Sequence, residues 1–199
     1  MVFVCRRRAG LGGALAAAWL TAVGVLVVTR ALTGHPAPAS LASSPRAVAH
    51  GEVWRLLTSG LLVQGPPVVQ LAGTAVLARV LIVRFGARLF WLVAAAGHLG
   101  ATLLVYAGVG VGWLVDRDAV RSVSKAPDYG ISAAWAACVG AVCVAGARRL
   151  LPRSRLAVGV GIGCLLGFLV LLPAESELEG VEHLVAFALG AGVAARWAS

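Results

Sequence analysis

Ser132 and His183 are the two residues of this sequence whose types and positions indicate nucleophilic chemistry. Each lies just inside the start of an apolar segment, and two apolar helices joined by a short basic turn return the chain to the face that it left. Although 51 residues separate them in sequence, the two side chains can therefore meet at hydrogen-bonding distance. A histidine that accepts the proton of a serine hydroxyl makes the serine oxygen a nucleophile. The pair predicts a nucleophile and its base inside a membrane.

The composition is that of a polytopic membrane protein. Hydrophobic residues make up 60% of the 199 residues, charged residues only 13%, and the mean hydropathy is +0.91. Apolar runs near the roughly 20 residues that cross a bilayer recur along the chain. Almost nothing remains for a soluble domain, so we predict a single transmembrane domain over residues 1–199.

Six runs define the predicted spans of an all-α, six-transmembrane-helix bundle. They cover Leu11–Leu32, Pro67–Val83, Leu89–Gly112, Gly130–Ala147, Leu156–Leu172 and Gly180–Ala195. Eleven of the 17 lysine and arginine residues then fall on one side, and the positive-inside rule predicts cytoplasmic N- and C-termini in a cell membrane. The other six cations and all eight acidic residues fall outside.

The basic residues flank spans and form no continuous patch with interleaved aromatic residues, so the high pI does not indicate nucleic acid. The expected partners are membrane lipids and a transmembrane protein substrate or client, and the oligomeric state stays open. The N-terminal run also imitates a signal peptide, with Arg6–Arg8 before it and Ala37–Ala39 after it. Its length of about 20 residues exceeds a signal h-region and favours a retained span.

The first outer segment contains two kinds of sequence. Residues Gly34–Ala49 are rich in proline, alanine and serine and predict irregular surface. The following GEVWRLLTSGLL is amphipathic and contains Trp54, which predicts an interfacial segment at the outer headgroups.

The cysteines and histidines give no metal or disulfide pattern. Cys5 is placed in the cytoplasm, whereas Cys138, Cys143 and Cys164 fall within spans, so core packing is their expected role. His35, His50, His98 and His183 show no HExxH or HxxH pairing. We therefore expect no metal and no cofactor.

Small residues recur every four positions on the fourth and sixth spans. Ser132, Ala136 and Gly140 form one stripe, and Ala186, Gly190 and Ala194 form the other. Such stripes let helix backbones approach closely in lipid. If the two stripes meet, Ser132 and His183 meet near the outer surface. The alternatives are that Ser132 bonds back to a carbonyl of its own helix and that His183 extends outward to the interface.

These residues together resemble the rhomboid family of intramembrane serine proteases, over nearly the whole chain. Trp54 and Arg55 in GEVWRLLTSG resemble the family's first-loop WR segment, and Gly130-Ile-Ser132-Ala stands where the family has GxSG. Gly140 falls at the second glycine. The run from Glu182 to Gly190, with Ala186, resembles AHxxGxxxG. The resemblance implies a six-span rhomboid-like fold with Ser132 as nucleophile and His183 as general base.

The sequence departs from the family where the oxyanion is held. The family has a histidine and an asparagine near the outer end of the second span, where this chain has Gln64 and Gln70. An oxyanion donor is worth about a hundredfold or more in rate, so the missing residues matter for activity. Either glutamine could supply an amide donor in their place, or both could be ordinary loop and helix-end groups. Ala133 and Ala186 replace glycines, and Trp135 offers an aromatic wall for His183.

Two further polar residues have alternative roles. Asp128 either orients the imidazole or caps the helix that follows it, and we expect the cap. His98 lies near the middle of the third span, about 10 Å below an outer site by helix rise, and we expect a neutral interhelical hydrogen bond.

Two functions from different classes fit the sequence. The first is an intramembrane serine protease that cuts transmembrane segments near their outer end. The second is a catalytically inactive rhomboid-like protein that binds transmembrane helices for trafficking or quality control. Interrupted spans in paired positions, which would indicate a transporter, are not seen.

Overall fold

The computed structural model of the chain describes residues 10–36, 38–63, 66–148 and 177–197. These residues form helices and connecting turns, with one isolated bridge between Ser43 and Asp128. The helices are α1 (Leu11–Thr33), α2 (Pro45–Ala49), α3 (Arg55–Thr58), α4 (Pro67–Phe85), α5 (Ala87–Val115), α6 (Arg117–Val120), α7 (Ile131–Ala147) and α8 (Glu177–Trp197). The predicted fifth span, Gln64, Cys5 and Cys164 lie outside the described residues.

Within the described residues, four helices are long and apolar enough to cross a membrane, namely α1, α4, α5 and α8. They coincide with four of the predicted spans, so the all-helical class is confirmed, with apolar helices that are long enough to span a membrane. The fourth predicted span is a helix as well, but α7 has only 17 residues and is shorter than the others. The six-span count stays a prediction.

The short helix α7 is the centre of the bundle. Nearly all its side chains, from Ile131 to Val142, are buried, and it packs against α4, α5 and α8. A methyl group at Gly140 would overlap the carbonyl of Phe187, and one at Gly190 would overlap the carbonyl of Ala137. The two helices run parallel with their backbones in contact, as the small-residue stripes predict.

The end of the bundle that the charge pattern predicts to be cytoplasmic contains the starts of α1 and α5 and the ends of α7 and α8. Trp91 Nε1 donates to Gly12 O over 2.9 Å, which joins the start of α1 to the start of α5. At the same end, Arg148 Nη1 donates to Ala195 O over 2.7 Å, and Arg88 lies 5.7 Å from the ring of Trp197. The described loop residues 34–36, 38–63 and 116–130 lie at the opposite end. The charge pattern predicts that this end is outside, and we call these segments the outer loops for that reason.

The prediction of an irregular surface for Gly34–Ala49 is wrong in its second half. Ser44 caps α2 by accepting from Ala47 N over 3.1 Å, and the side chain of Ser43 is completely buried. The backbones of Ser43 and Asp128 exchange two hydrogen bonds, of 2.8 and 3.2 Å. This exchange fixes the first outer loop to the segment that leads into α7.

The WR segment folds the same loop on itself. Arg55 donates to Ala39 O over 2.9 Å, pairs with Glu52 over 2.5 Å and lies 5.3 Å from the ring of Trp54. Trp54 and Leu57 are exposed, as expected for an interfacial segment. Leu56, between them in sequence, is buried. The segment therefore presents one apolar face outward and one to the bundle.

Candidate functional site

Three parallel helices bring Gln70, Ser132 and His183 to one level of the bundle. A Cβ atom at Gly73 on α4 would lie 2.7 Å from Nε1 of Trp135 on α7, so these two residues are level to within about one helical turn. Gln70 and Ser132 each precede that contact by three residues and are therefore level as well. The contacts of Gly140 with Phe187 and of Gly190 with Ala137 bring His183 level with Ser132 to within about one helical turn.

Ser132 is half-buried, and its hydroxyl donates to Tyr129 O over 3.0 Å. This bond to a carbonyl in the preceding turn is the local alternative that the sequence leaves open. The oxygen still has lone pairs that can accept a hydrogen bond. His183 has only 4% of its surface exposed, which does not fit an imidazole that extends to the headgroups. The Ser132–His183 dyad itself stays a prediction.

The start of α7 has no side-chain cap among the described residues, and its N-cap residue is Gly130. The prediction that Asp128 caps this helix is wrong, because its carboxylate accepts instead from Tyr106 over 2.9 Å and from Ser43 over 3.2 Å. The amides of the first turn, that of Ser132 included, have no carbonyl one turn earlier within the helix.

A cluster of buried polar side chains lies beside this helix start. Ser43 and Tyr106 hydrogen-bond to each other over 2.8 Å as well as to Asp128. Thr102, one turn before Tyr106, hydrogen-bonds to the buried carboxyl group of Glu182, the residue next to His183. We call Ser43, Thr102, Tyr106, Asp128 and Glu182 the polar cluster. The sequence reading missed four of them, although the spacing of Thr102 and Tyr106 within an apolar span was a signal.

His98 lies at the level of the site, so its predicted position about 10 Å below it is wrong. Its ring fills the space that a Cβ atom at Gly130 would occupy, and a Cβ at Gly60 would lie 2.9 Å from Nε2. Nε2 donates to Leu56 O over 2.6 Å, and since a carbonyl only accepts, this nitrogen carries a proton. The bond joins α5 to the short helix α3, so it is interhelical as expected, but its partner lies outside the predicted spans.

The error in depth has a structural cause. Helix α5 runs on to Val115, about 25 Å beyond His98 at 1.5 Å per residue. The chain then folds back along it through 116–130, so that α7 begins beside His98 and not at the outer end of α5. Ser132 consequently lies deeper than a span starting at the surface would place it.

The remaining predicted site residues have structural surroundings. Gln70 is buried in the first turn of α4, and its carbonyl accepts from Thr74 over 2.7 Å. Trp135 is buried, and its indole lies against Gly73 of α4. Ala186 is completely buried on α8. Whether Trp135 forms a wall for His183 stays a prediction.

Among the described residues, no three histidine, cysteine, aspartate or glutamate side chains are grouped to hold a metal ion. The fold and the site define an all-helical membrane protein with a buried polar site around the start of a short central helix. No family model, curated protein or solved structure matches the chain. The likeness to rhomboid proteases therefore rests on the residues quoted above.

Proposed function

We propose that the protein is an intramembrane serine protease that cleaves transmembrane segments with Ser132 as nucleophile and His183 as base. The observation that supports this most is the common level of Gln70, Ser132 and His183 on three parallel helices, around the uncapped start of α7. The grouping contains a hydroxyl, an imidazole and amide donors, which are the groups that acyl transfer requires.

In the proposed reaction His183 takes the proton of Ser132 as Oγ attacks the scissile carbonyl. The resulting oxyanion accepts hydrogen bonds from the Ser132 amide at the positive end of α7, and from the side-chain amide of Gln70. His183 then gives its proton to the leaving amine, and the amine departs. Water hydrolyses the acyl-enzyme by the same proton transfers in reverse, which frees Ser132.

A catalytically inactive protein that binds transmembrane helices is the second candidate. The observation that favours it is the hydrogen bond from Ser132 Oγ to Tyr129 O, which directs the hydroxyl proton to its own helix. In the protease, this bond would have to give way to one with His183 before attack.

Labelling by a fluorophosphonate probe distinguishes the two candidates. The probe reacts when a serine oxygen attacks phosphorus and fluoride leaves, with the serine proton going to a base. We expect the purified protein in detergent to be labelled and Ser132→Ala to be unlabelled. Ser124→Ala is the matched control, because Ser124 also donates to a carbonyl three residues earlier, Arg121 O, over 2.9 Å.

Two outcomes contradict the protease. Equal labelling of Ser132→Ala and the unaltered protein would show that another residue reacts. Absence of labelling in folded, unaltered protein would favour the helix-binding candidate. Labelling that Ser124→Ala retains and Ser132→Ala loses supports the proposal.

A further inference from the structure

Helix α5 contains a π-turn, Ala96–Ala101, at the level of the candidate site. Single π-turns within α-helices occur frequently at functional sites. In this turn a Cβ atom at Gly97 would lie 2.8 Å from Ala133 O and would overlap the side chain of Ala137. The π-turn is thus in backbone contact with the first two turns of α7.

The same turn holds the residue that begins α7. The His98 ring lies directly against Gly130, and Gly130 N donates to Ser59 O over 3.0 Å. His98 Nε2 also bonds to Leu56 O in the loop that contains Ser59. Gly130 therefore lies between the π-turn on one side and the outer loop on the other, two residues before Ser132.

The π-turn is connected to α8 as well. Thr102, the residue that follows the turn, bonds to His98 O over 2.5 Å and to the carboxyl group of Glu182. Glu182 has 1% of its surface exposed and immediately precedes His183. Within the turn itself, a Cβ atom at Gly100 would lie 3.3 Å from the side chain of Leu189 on α8.

We infer that the π-turn of α5 sets the distance between Ser132 and His183, with His98 and Thr102 as positioning residues. This inference rests on the proposed function. The turn contacts the start of α7 through Gly97 and His98, and the residue that follows it, Thr102, contacts the start of α8. A single rigid element thereby fixes both helix ends that bear the dyad. A displacement of about 1 Å between reacting groups costs about a hundredfold in rate.

The test removes the hydroxyl of Thr102 and then restores it. In Thr102→Val the bond to Glu182 is lost at nearly constant shape, whereas Thr102→Ser keeps it. We expect Thr102→Val to lower the maximal rate of fluorophosphonate labelling about 10- to 100-fold. The probe concentration for half that rate should not change, because the probe-binding surface is retained. Thr102→Ser should restore the rate.

Thr33→Val is the matched control for the loss of a helical threonine hydroxyl. Thr33 donates to Thr29 O over 2.8 Å in the same i−4 geometry but is exposed at the end of α1. Its labelling rate should equal that of the unaltered protein. An equal fall in Thr33→Val, or no rescue by Thr102→Ser, would overturn the inference.

A second readout does not depend on catalysis. The background is a protein whose four cysteines are replaced by alanine, into which Ser132→Cys and His183→Cys are introduced together. The rate at which copper-phenanthroline oxidises the two new cysteines to a disulfide reports how far apart the two positions are. We expect Thr102→Val to slow this reaction several-fold and Thr102→Ser to restore it. An unchanged rate in Thr102→Val overturns the inference even if the protease proposal holds.

The two proposals can therefore fail separately. If the unaltered protein is not labelled by the probe, the protease proposal fails, but the disulfide rate still measures the role of the π-turn. If Thr102→Val does not fold, Gly97→Ala replaces it in the same assay, since its added methyl group pushes against Ala133 O. A disulfide rate in Gly97→Ala equal to that of its parent would overturn the inference.

Discussion

Asp128 shows how a carboxyl group is held inside an apolar bundle. Its side chain has 2% of its surface exposed, and two hydroxyl groups, those of Ser43 and Tyr106, donate to it. A buried polar group without partners costs roughly 1 to 3 kcal/mol, and a charged one more. The two hydroxyls come from different segments, so satisfying Asp128 also ties the first outer loop to α5.

Removing the Tyr106 hydroxyl tests this tie. We expect Tyr106→Phe to lower the free energy of unfolding by about 1 to 3 kcal/mol, because Asp128 then loses one of its hydroxyl donors. The measurement is thermal unfolding in detergent. The chain's only other tyrosine gives the control: Tyr129 is half-buried, no hydrogen bond of its hydroxyl is seen among the described residues, and Tyr129→Phe should have little effect. Equal effects of the two variants would contradict the tie.

At this scale the sequence identified the residues with reactive groups but not those that support them. Ser132, His183 and Gln70 stand out because their types fit acyl transfer and their positions fit the ends of spans. Ser43 is 85 residues from Asp128 in sequence, and its neighbours indicate only a polar loop. A hydrogen bond between such distant residues depends on the fold of the loop, which local pattern does not encode.

The contact between α7 and α8 determines the arrangement of the bundle. Lipid does not drive apolar helices together, so close backbone packing supplies the attraction. Gly140 and Gly190 lie where a methyl group would meet the carbonyl of the other helix. Each helix also has a glycine with open space around it, Gly146 on α7 and Gly192 on α8.

Substituting alanine at each of these four glycines distinguishes the effect of helix packing on stability from the effect of helix propensity. We expect Gly140→Ala and Gly190→Ala each to cost about 1 to 3 kcal/mol of stability through overpacking. Gly146→Ala and Gly192→Ala should be neutral or stabilise by up to about 1 kcal/mol, because alanine favours helix. Thermal unfolding of all four in detergent is the measurement. A loss at Gly146 equal to that at Gly140 would show that the interface is not the cause.

Hydropathy predicted the described spans to within a few residues, because a helix in lipid needs a continuous apolar run. Hydropathy did not predict how deep in the bundle α7 begins. Asp128 and Gly130, in the irregular segment before α7, can be buried because Ser43 and Ser59 satisfy their backbone groups. The π-turn was also hidden, since an extra residue in one helical turn leaves the apolar composition unchanged.

In the part of the chain that the structure describes, the acidic residues all lie toward one end of the molecule. Arg84, Arg88 and Arg148 lie with the helix ends near Gly12 and Trp197, whereas the described acidic residues lie at the opposite end with the outer loops. Between the two ends the surface is apolar, with exposed side chains such as Leu15, Val76 and Leu184 on three different helices. An apolar belt of this extent is stable in lipid and would aggregate in water.

The orientation of this belt in the membrane is open to direct measurement. The cation asymmetry predicts that the end with the loops faces outward and the arginine-rich end faces the cytoplasm. In cysteine-free protein, Ser122→Cys in the outer loop should react with an impermeant thiol reagent added to intact cells. Ala147→Cys, at the exposed inner end of α7, should react only after the cells are opened. Labelling of Ala147→Cys in sealed cells would show that the bundle has the opposite orientation in the membrane. It would also place the start of α7, and Ser132 with it, toward the cytoplasmic side, so a protease of this geometry would meet its substrates from within the cell.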